Sequence, residues 1–201
     1  ALAAGSYQVV VDAPAHPGTY AFTSFYKPAA QSFSYAVGKS VSNGLVGGVA
    51  KTGAGNLETT ASKDVYSFSL TAARTVVFDS EQYNWPLYYG SSLVRLSDGV
   101  SLGGINGHRE YALAAGSYQV VVDAPAHPGT YAFTSFVKPA AQSFSYAVGQ
   151  SVADGLVGGV AKAGAGNLET TASKDVYSFS LTAARTVVFD SEQYNWPLYY
   201  G

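Results

Sequence analysis

The chain has 201 residues, of which 47% are apolar, 14% aromatic and only 12% charged, with a net charge of −2. This balance excludes a disordered tail, which would be poor in aromatics, and leaves no basic footprint for nucleic acid or an anionic membrane surface. Cysteine is absent, so disulfides and thiolate metal sites are excluded, and no apolar run approaches the length of a membrane-spanning helix.

One feature overlies every element. Residues 1–90 reappear as 112–201, a period of 111, with five changes in 90 positions: Tyr26 to Val137, Lys39 to Gln150, Ser42 to Ala153, Asn43 to Asp154 and Thr52 to Ala163. The segment 91–111 occurs once. Repetition at the size of a small domain predicts an array of modules, here a window on a longer tandem protein.

In chain order, Ser32–Val37 alternates polar and apolar residues and sets Phe33, Tyr35 and Val37 on one face. The Gly-rich stretch Gly44–Asn56 reads as an exposed loop opened by an Asn43-Gly44 turn, which becomes Asp154-Gly155 in the second copy. Asp64–Leu70 places Tyr66, Phe68 and Leu70 together, and Arg74–Asp79 does the same for Val76 and Phe78. Leu93–Leu96 is a short apolar strand, followed by hairpin signals at Asp98-Gly99 and Asn106-Gly107. Ser117–Asp123 aligns Tyr118, Val120 and Val122, and Gly129–Phe136 aligns Tyr131 and Phe133.

No stretch carries a helical period. Short strands about ten residues apart predict an all-β, antiparallel β-sandwich, jelly-roll-like, in tandem repeats of 111 residues. The expected core is Phe33, Tyr35, Tyr66, Phe68, Leu70, Val76, Phe78, Leu96, Tyr118, Val120, Tyr131 and Phe133. Pro28 and Pro139 follow equivalent strands and suit joints, because proline cannot extend a ladder. The unit is therefore placed at 29–138, with 1–28 as the last strands of a preceding unit and 139–201 as the first strands of a following one. The competing frame takes 1–90 and 112–201 as domains and 91–111 as linker.

The residues carry a family resemblance. Asp64-Val65-Tyr66-Ser67-Phe68, Asp98-Gly99, Ala115-Gly116-Ser117-Tyr118 and Gly129-Thr130-Tyr131, in that order, resemble the bacterial pre-peptidase C-terminal domain, a β-sandwich of secreted proteases and large surface proteins. The resemblance implies the fold and an extracellular setting. The chain departs from it at Lys63-Asp64, where the family often has an acidic pair, which weakens any inherited metal site. It also departs at Ala72-Ala73-Arg74, where the family often turns on glycine.

Catalysis finds no motif. His16 and His127 sit in Pro-Ala-His-Pro-Gly turns, His108 stands apart, and neither a Gly-x-Ser-x-Gly elbow nor a His-Glu-x-x-His helix accompanies them. The chain is expected not to be an enzyme. No cofactor is expected. A bound cation, calcium by its preference for oxygen, would sit at Asp79, Glu81 and Asn84 and at their mates Asp190, Glu192 and Asn195. The alternative there is a solvated polar strand end.

The aromatic stretch 83–90 is the other candidate. Tyr83, Trp85, Tyr88 and Tyr89, with Tyr194, Trp196, Tyr199 and Tyr200 in the second copy, offer flat faces for a sugar ring or a protein. Alternatively they cap their own core or pack between units. The expected function is a structural spacer of a bacterial secreted or cell-surface protein, an adhesin stalk or fibre assembling head to tail. The alternatives are a carbohydrate- or protein-binding module using 83–89, and an accessory domain of a secreted hydrolase. Expected partners are neighbouring repeats or further copies of the chain, with a polysaccharide or surface protein in the binding reading; nucleic acid and membrane insertion are not expected.

Overall fold

The computed structural model describes residues 1–12, 17–81, 90–124 and 127–190. Among these there is no helix. Thirteen strands lie between Gln31 and Val137 and form two facing sheets with one small two-stranded ladder.

The first sheet runs β1 (Gln31–Ser34), β6 (Lys63–Leu70), β11 (Gly116–Asp123), β8 (Gly90–Arg95) and β9 (Ser101–Gly103) from edge to edge. The second runs β10 (Gly107–Leu113), β7 (Arg74–Glu81), β13 (Ala132–Val137), β2 (Ser40–Ser42), β3 (Leu45–Val46) and β4 (Val49–Ala50). β5 (Asn56–Leu57) pairs with β12 (Gly129–Thr130). The chain crosses from one sheet to the other at β1–β2, β6–β7, β7–β8, β9–β10 and β10–β11. The alternating strands thereby turn their apolar faces toward each other.

Period two explains the core. In β6, Asp64, Tyr66 and Phe68 point inward, and in β11 Tyr118, Val120 and Val122 do so opposite them. Tyr66 and Phe68 of the first sheet meet Phe133 and Phe78 of the second at ring-centroid distances of 5.3 and 6.3 Å. Tyr35, just past β1, packs against Phe133 at 5.4 Å.

Three expectations are corrected. Leu96 is 45% exposed. β8 ends at Arg95, whose guanidinium bridges Asp98 across the turn, so Leu96 stands on the rim while Leu93 points inward and is fully buried. The stretch 44–56 is no open loop: it forms β3, β4 and the start of β5, and it buries Val46 and Ala54, with Leu57 just beyond. The sandwich is not wholly antiparallel, because β1 runs parallel to β6. The chain leaves β1 for the second sheet and returns to the first only at β6, a crossover that brings the strand back in the same direction.

Phe33 and Leu70 pack on the core from its margin, half-buried. Gly44, Gly99 and Gly107 all have positive φ, as the predicted turns require.

The chain enters and leaves the sandwich at opposite poles. Gln31 lies opposite Asp64 at the start of β6, whereas Val137 lies opposite Val76, beside the turn that joins β6 to β7. At about 3.3 Å per residue, the six residues from Asp64 to Leu70 separate these poles by roughly 20 Å.

Residues 139–190 retrace the opening of this unit. β14 (Gln142–Ser145) pairs in parallel with β18 (Asp175–Ser178) in the register of β1 and β6. β15 (Val152–Ala153), β16 (Leu156–Val157) and β17 (Val160–Ala161) repeat β2, β3 and β4. The described residues of 1–28 and of 179–190 form no strand.

Candidate functional site

The most unusual chemistry in the sandwich is a carboxylate in its core. Asp64 is fully buried because it shares the phase of Tyr66 and Phe68 in β6. Its Oδ2 accepts a hydrogen bond from the Tyr131 hydroxyl at 2.5 Å, and the Tyr66 hydroxyl lies 3.4 Å away. The two hydroxyls are 2.7 Å apart, and the Gly55 N–H donates to the Tyr66 oxygen at 2.8 Å.

Each hydroxyl has one proton. With the Tyr131 proton given to Asp64, the Tyr66 proton goes to the Tyr131 oxygen. The result is a directed chain from Gly55 N–H through Tyr66 and Tyr131 to Asp64, whose members polarise one another.

Burial raises the Asp64 carboxyl from the ordinary carboxylate range to about 6, with the nearby Glu58 charge acting in the same direction and the tyrosine hydrogen bonds against it. Burial likewise pushes both tyrosine hydroxyls up, so they act as donors and not as phenolates. Among the described residues, Oδ1 of Asp64 has no hydrogen-bond partner.

Gly55 secures the near end of this chain. Its φ is +66°, and a Cβ there would lie 2.5 Å from the backbone carbonyl of Ser42. Its own carbonyl accepts the Tyr131 N–H at 2.9 Å, so the β3–β5 region is tied to β6 and β13 through one residue. A second polar contact crosses the core, where the Tyr35 hydroxyl meets Ser135 Oγ at 2.7 Å and burial raises the hydroxyl to about 12. Both features tie parts of the sandwich together. Tyr131 of the first feature also lines an open cleft beside Asp79.

The second cluster lies on the outer face of the second sheet. His108 stands opposite Asp79 in the β10–β7 register and bonds its Oδ1 through Nδ1 at 2.6 Å. His108 Nε2 is 3.6 Å from Glu110, whose pKa is held below its usual range, chiefly by a hydrogen bond from Lys138 Nζ, the two lying 2.7 Å apart. The other oxygen of Asp79 accepts from the Thr171 hydroxyl at 2.7 Å. Beside Asp79, Ser40–Asn43 and Thr130–Thr134 line an open cleft of about 490 Å³.

The candidates named from sequence fall as follows. His127 is exposed, His108 faces two carboxylates on an open surface, and the neighbouring Ser80 hydroxyl accepts the Gly107 N–H. His16 lies outside the described residues. Asp79 is engaged by His108 and Thr171, and Asp190 is exposed. The side chain of Glu81, and Asn84, Glu192 and Asn195, lie outside the described residues, as do Tyr83, Trp85, Tyr88, Tyr89, Tyr194, Trp196, Tyr199 and Tyr200. Among the described residues no group of three or more His, Asp or Glu converges as metal ligands.

Asp64 was not among those candidates as a buried acid. Its phase with Tyr66 and Phe68 was the available signal.

No family model matches the chain, and no curated protein does. Among solved structures it is similar to the pre-peptidase C-terminal domain of collagenase from Bacillus anthracis, with 17% identity over 56% of this chain and 99% of that one, at a TM-score of 0.40. It is also similar to Aeromonas hydrophila PliG, a periplasmic inhibitor of g-type lysozyme. That match has 13% identity over 54% of this chain and 99% of that one, at a TM-score of 0.35.

Proposed function

We propose that this chain is a structural spacer: β-sandwich units joined in series in a bacterial secreted or cell-surface protein, a stalk or fibre and not an enzyme. The observation that supports this most is the position of the chain's entry and exit. Gln31 and Val137 lie at opposite poles, so each further unit extends the array along the strand direction.

The near identity of the copies agrees with a mechanical part, in which number and reach matter more than individual sites. The inner hydrogen-bond chain from Gly55 to Asp64 serves the same end, because it locks both sheets and the β3–β5 region into one body.

Small-angle scattering on chains of two, three and four units tests the reading. The maximum dimension should rise by a constant step per unit, roughly 30–40 Å from an eight-residue strand plus a short joint. Growth with the square root of unit number, or a compact particle, would overturn it.

A further inference from the structure

The outer face of the second sheet is covered at a place where such a face would ordinarily meet water. In β7, Val76 and Phe78 point into the core, so Val77 and Asp79 point away from it. The register sets Val77 between Glu110 of β10 and Phe136 of β13. Val77 is nevertheless fully buried, although it lies outside the core cluster.

Asp79 lies two residues further on, on the same face. Its Oδ1 is bonded by His108 Nδ1, and its Oδ2 accepts from the Thr171 hydroxyl, 92 residues away in the following unit. Next to Thr171, Ala172 is 8% exposed, whereas its mate Ala61 in the complete unit is only half-buried. Residues 139–190 have fewer strands of their own to cover Ala172 than the central unit has to cover Ala61. The added burial therefore comes from outside its own unit. A buried valine on one side, a buried alanine on the other and a hydrogen bond between their neighbours mark an interface.

Both sides of it are preformed. Ser173 Oγ accepts the Thr170 N–H at 3.0 Å, and Thr170 Oγ1 accepts the Ala172 N–H at 3.3 Å. The mate loop Thr59–Ser62 holds the same two bonds at 3.0 and 3.2 Å, so the loop takes this shape in either copy. On the receiving face His108 occupies one oxygen of Asp79 and leaves the other for the threonine.

The linker brings the two sides together. Lys138 is tied to the central unit, through its N–H to the Thr75 carbonyl at 2.8 Å and through Nζ to Glu110 at 2.7 Å. Gln142 is tied to the following unit, its N–H donating to the Lys174 carbonyl at 2.9 Å. Only Pro139, Ala140 and Ala141 lie between, a reach of at most about 14 Å, and Pro139 has a fixed φ. Thr171 is three residues from Lys174, and Asp79 is three residues from Val76, which stands opposite Val137 beside the linker.

We infer that the outer face around Val77 and Asp79 is the docking surface for the Thr170–Ser173 loop of the next unit, and that this latch fixes the angle between successive units. The loop offers a hydroxyl to the aspartate and a small apolar residue to the covered face. This rests on the reading of the chain as units in series, and adds that the joint is set and not a swivel. Val77 and Asp79 recur as Val188 and Asp190, and Thr171 and Ala172 as Thr60 and Ala61. None of the five differences between the copies falls on these residues, so every unit carries both the face and the loop.

The chain has no cysteine, so introduced pairs can be spin-labelled specifically. With labels at Ser101→Cys in the central unit and Ser151→Cys in the following one, both exposed positions, pulsed electron spin resonance on the full chain should give one narrow distance peak. Ala172→Arg, and Asp79→Ala from the other side, should each lose that peak to a broad distribution. Ala172→Arg should leave the melting of the central unit unmoved. Ala61→Arg puts the same side chain on the mate loop, away from this joint, and should keep the peak.

A broad distribution in the parent chain, a narrow peak that survives Ala172→Arg, or equal broadening by Ala61→Arg would each overturn the inference. So would a narrow peak present only at high concentration, which would assign the face to a second copy of the chain. Scattering on longer arrays tests the spacer reading separately. A constant step there, with a peak indifferent to Ala172→Arg, would leave the spacer standing and remove the latch. Compact arrays with a peak that responds would do the reverse.

Discussion

Asp64 makes the stability of the sandwich fall as pH rises, and the effect can be worked from its surroundings. Its carboxyl titrates near 6 in the folded chain, against an ordinary value of 3.8. Below about pH 4 the group is protonated in both states and contributes no pH dependence. Between 4 and 6 the folded state holds the proton more tightly, so each step up in pH favours unfolding. Above 6 the full penalty is present. Two pH units at 1.36 kcal/mol each amount to about 3 kcal/mol.

The assay is urea unfolding followed by circular dichroism at half-unit steps from pH 4 to 8, on the wild-type chain and on Asp64→Asn. Asn keeps an acceptor for Tyr131 and cannot ionise. Asp98, Glu110 and Glu169 have lowered pKa values and drive the opposite slope, but they are common to both proteins. The wild-type minus variant difference therefore isolates Asp64. It should decline by about 3 kcal/mol between pH 4 and 7 and be flat above. A difference that is flat throughout, or that rises with pH, would show that the buried carboxyl is not held near 6 and that the hydrogen-bond chain is drawn wrongly.

The other predictions concern single contacts. Tyr131→Phe removes the principal donor to the charged form of Asp64 and should cost about 1.5–3 kcal/mol at pH 7 but less at pH 4, read from the same unfolding curves. Gly55→Ala combines a positive φ with a Cβ 2.5 Å from backbone and should destabilise by about 2 kcal/mol or more, with accelerated amide exchange at Tyr131. Phe133→Ala should cost about 3–5 kcal/mol in the central unit, whereas its mate Phe22→Ala should cost under about 0.5 kcal/mol in dilute solution. Calcium and chelator should leave the melting temperature unchanged, because both oxygens of Asp79 already have partners; a shift abolished by Asp79→Ala would establish the strand-end cation site instead.

How much of this was legible depended on range. The inward faces of β6 and β11 follow from alternation alone, since Tyr66, Phe68, Tyr118, Val120 and Val122 are separated by residues that are mostly polar. The turns at Gly44, Gly99 and Gly107 follow from local backbone chemistry. What escaped was non-local. The parallel pairing of β1 with β6 depends on a crossover through the other sheet, and the 44–56 region is anchored to the core through Tyr66 and Tyr131 as well as by its own short ladders. Asp64 shares the inward phase of Tyr66 in the sequence, but the partner of its carboxylate, Tyr131, lies 67 residues away.

The five positions where the copies differ bear on which contacts hold the unit together. In the central unit Lys39, Asn43, Thr52 and Val137 are exposed and Ser42 is half-buried; none belongs to the core or to the chain from Gly55 to Asp64. Substitutions at such places shift stability by about 0.5 kcal/mol or less, whereas loss of a core aromatic costs several. The two copies thus present the same inward faces, the same Gly55 and Gly166, and the same Asp64 and Asp175.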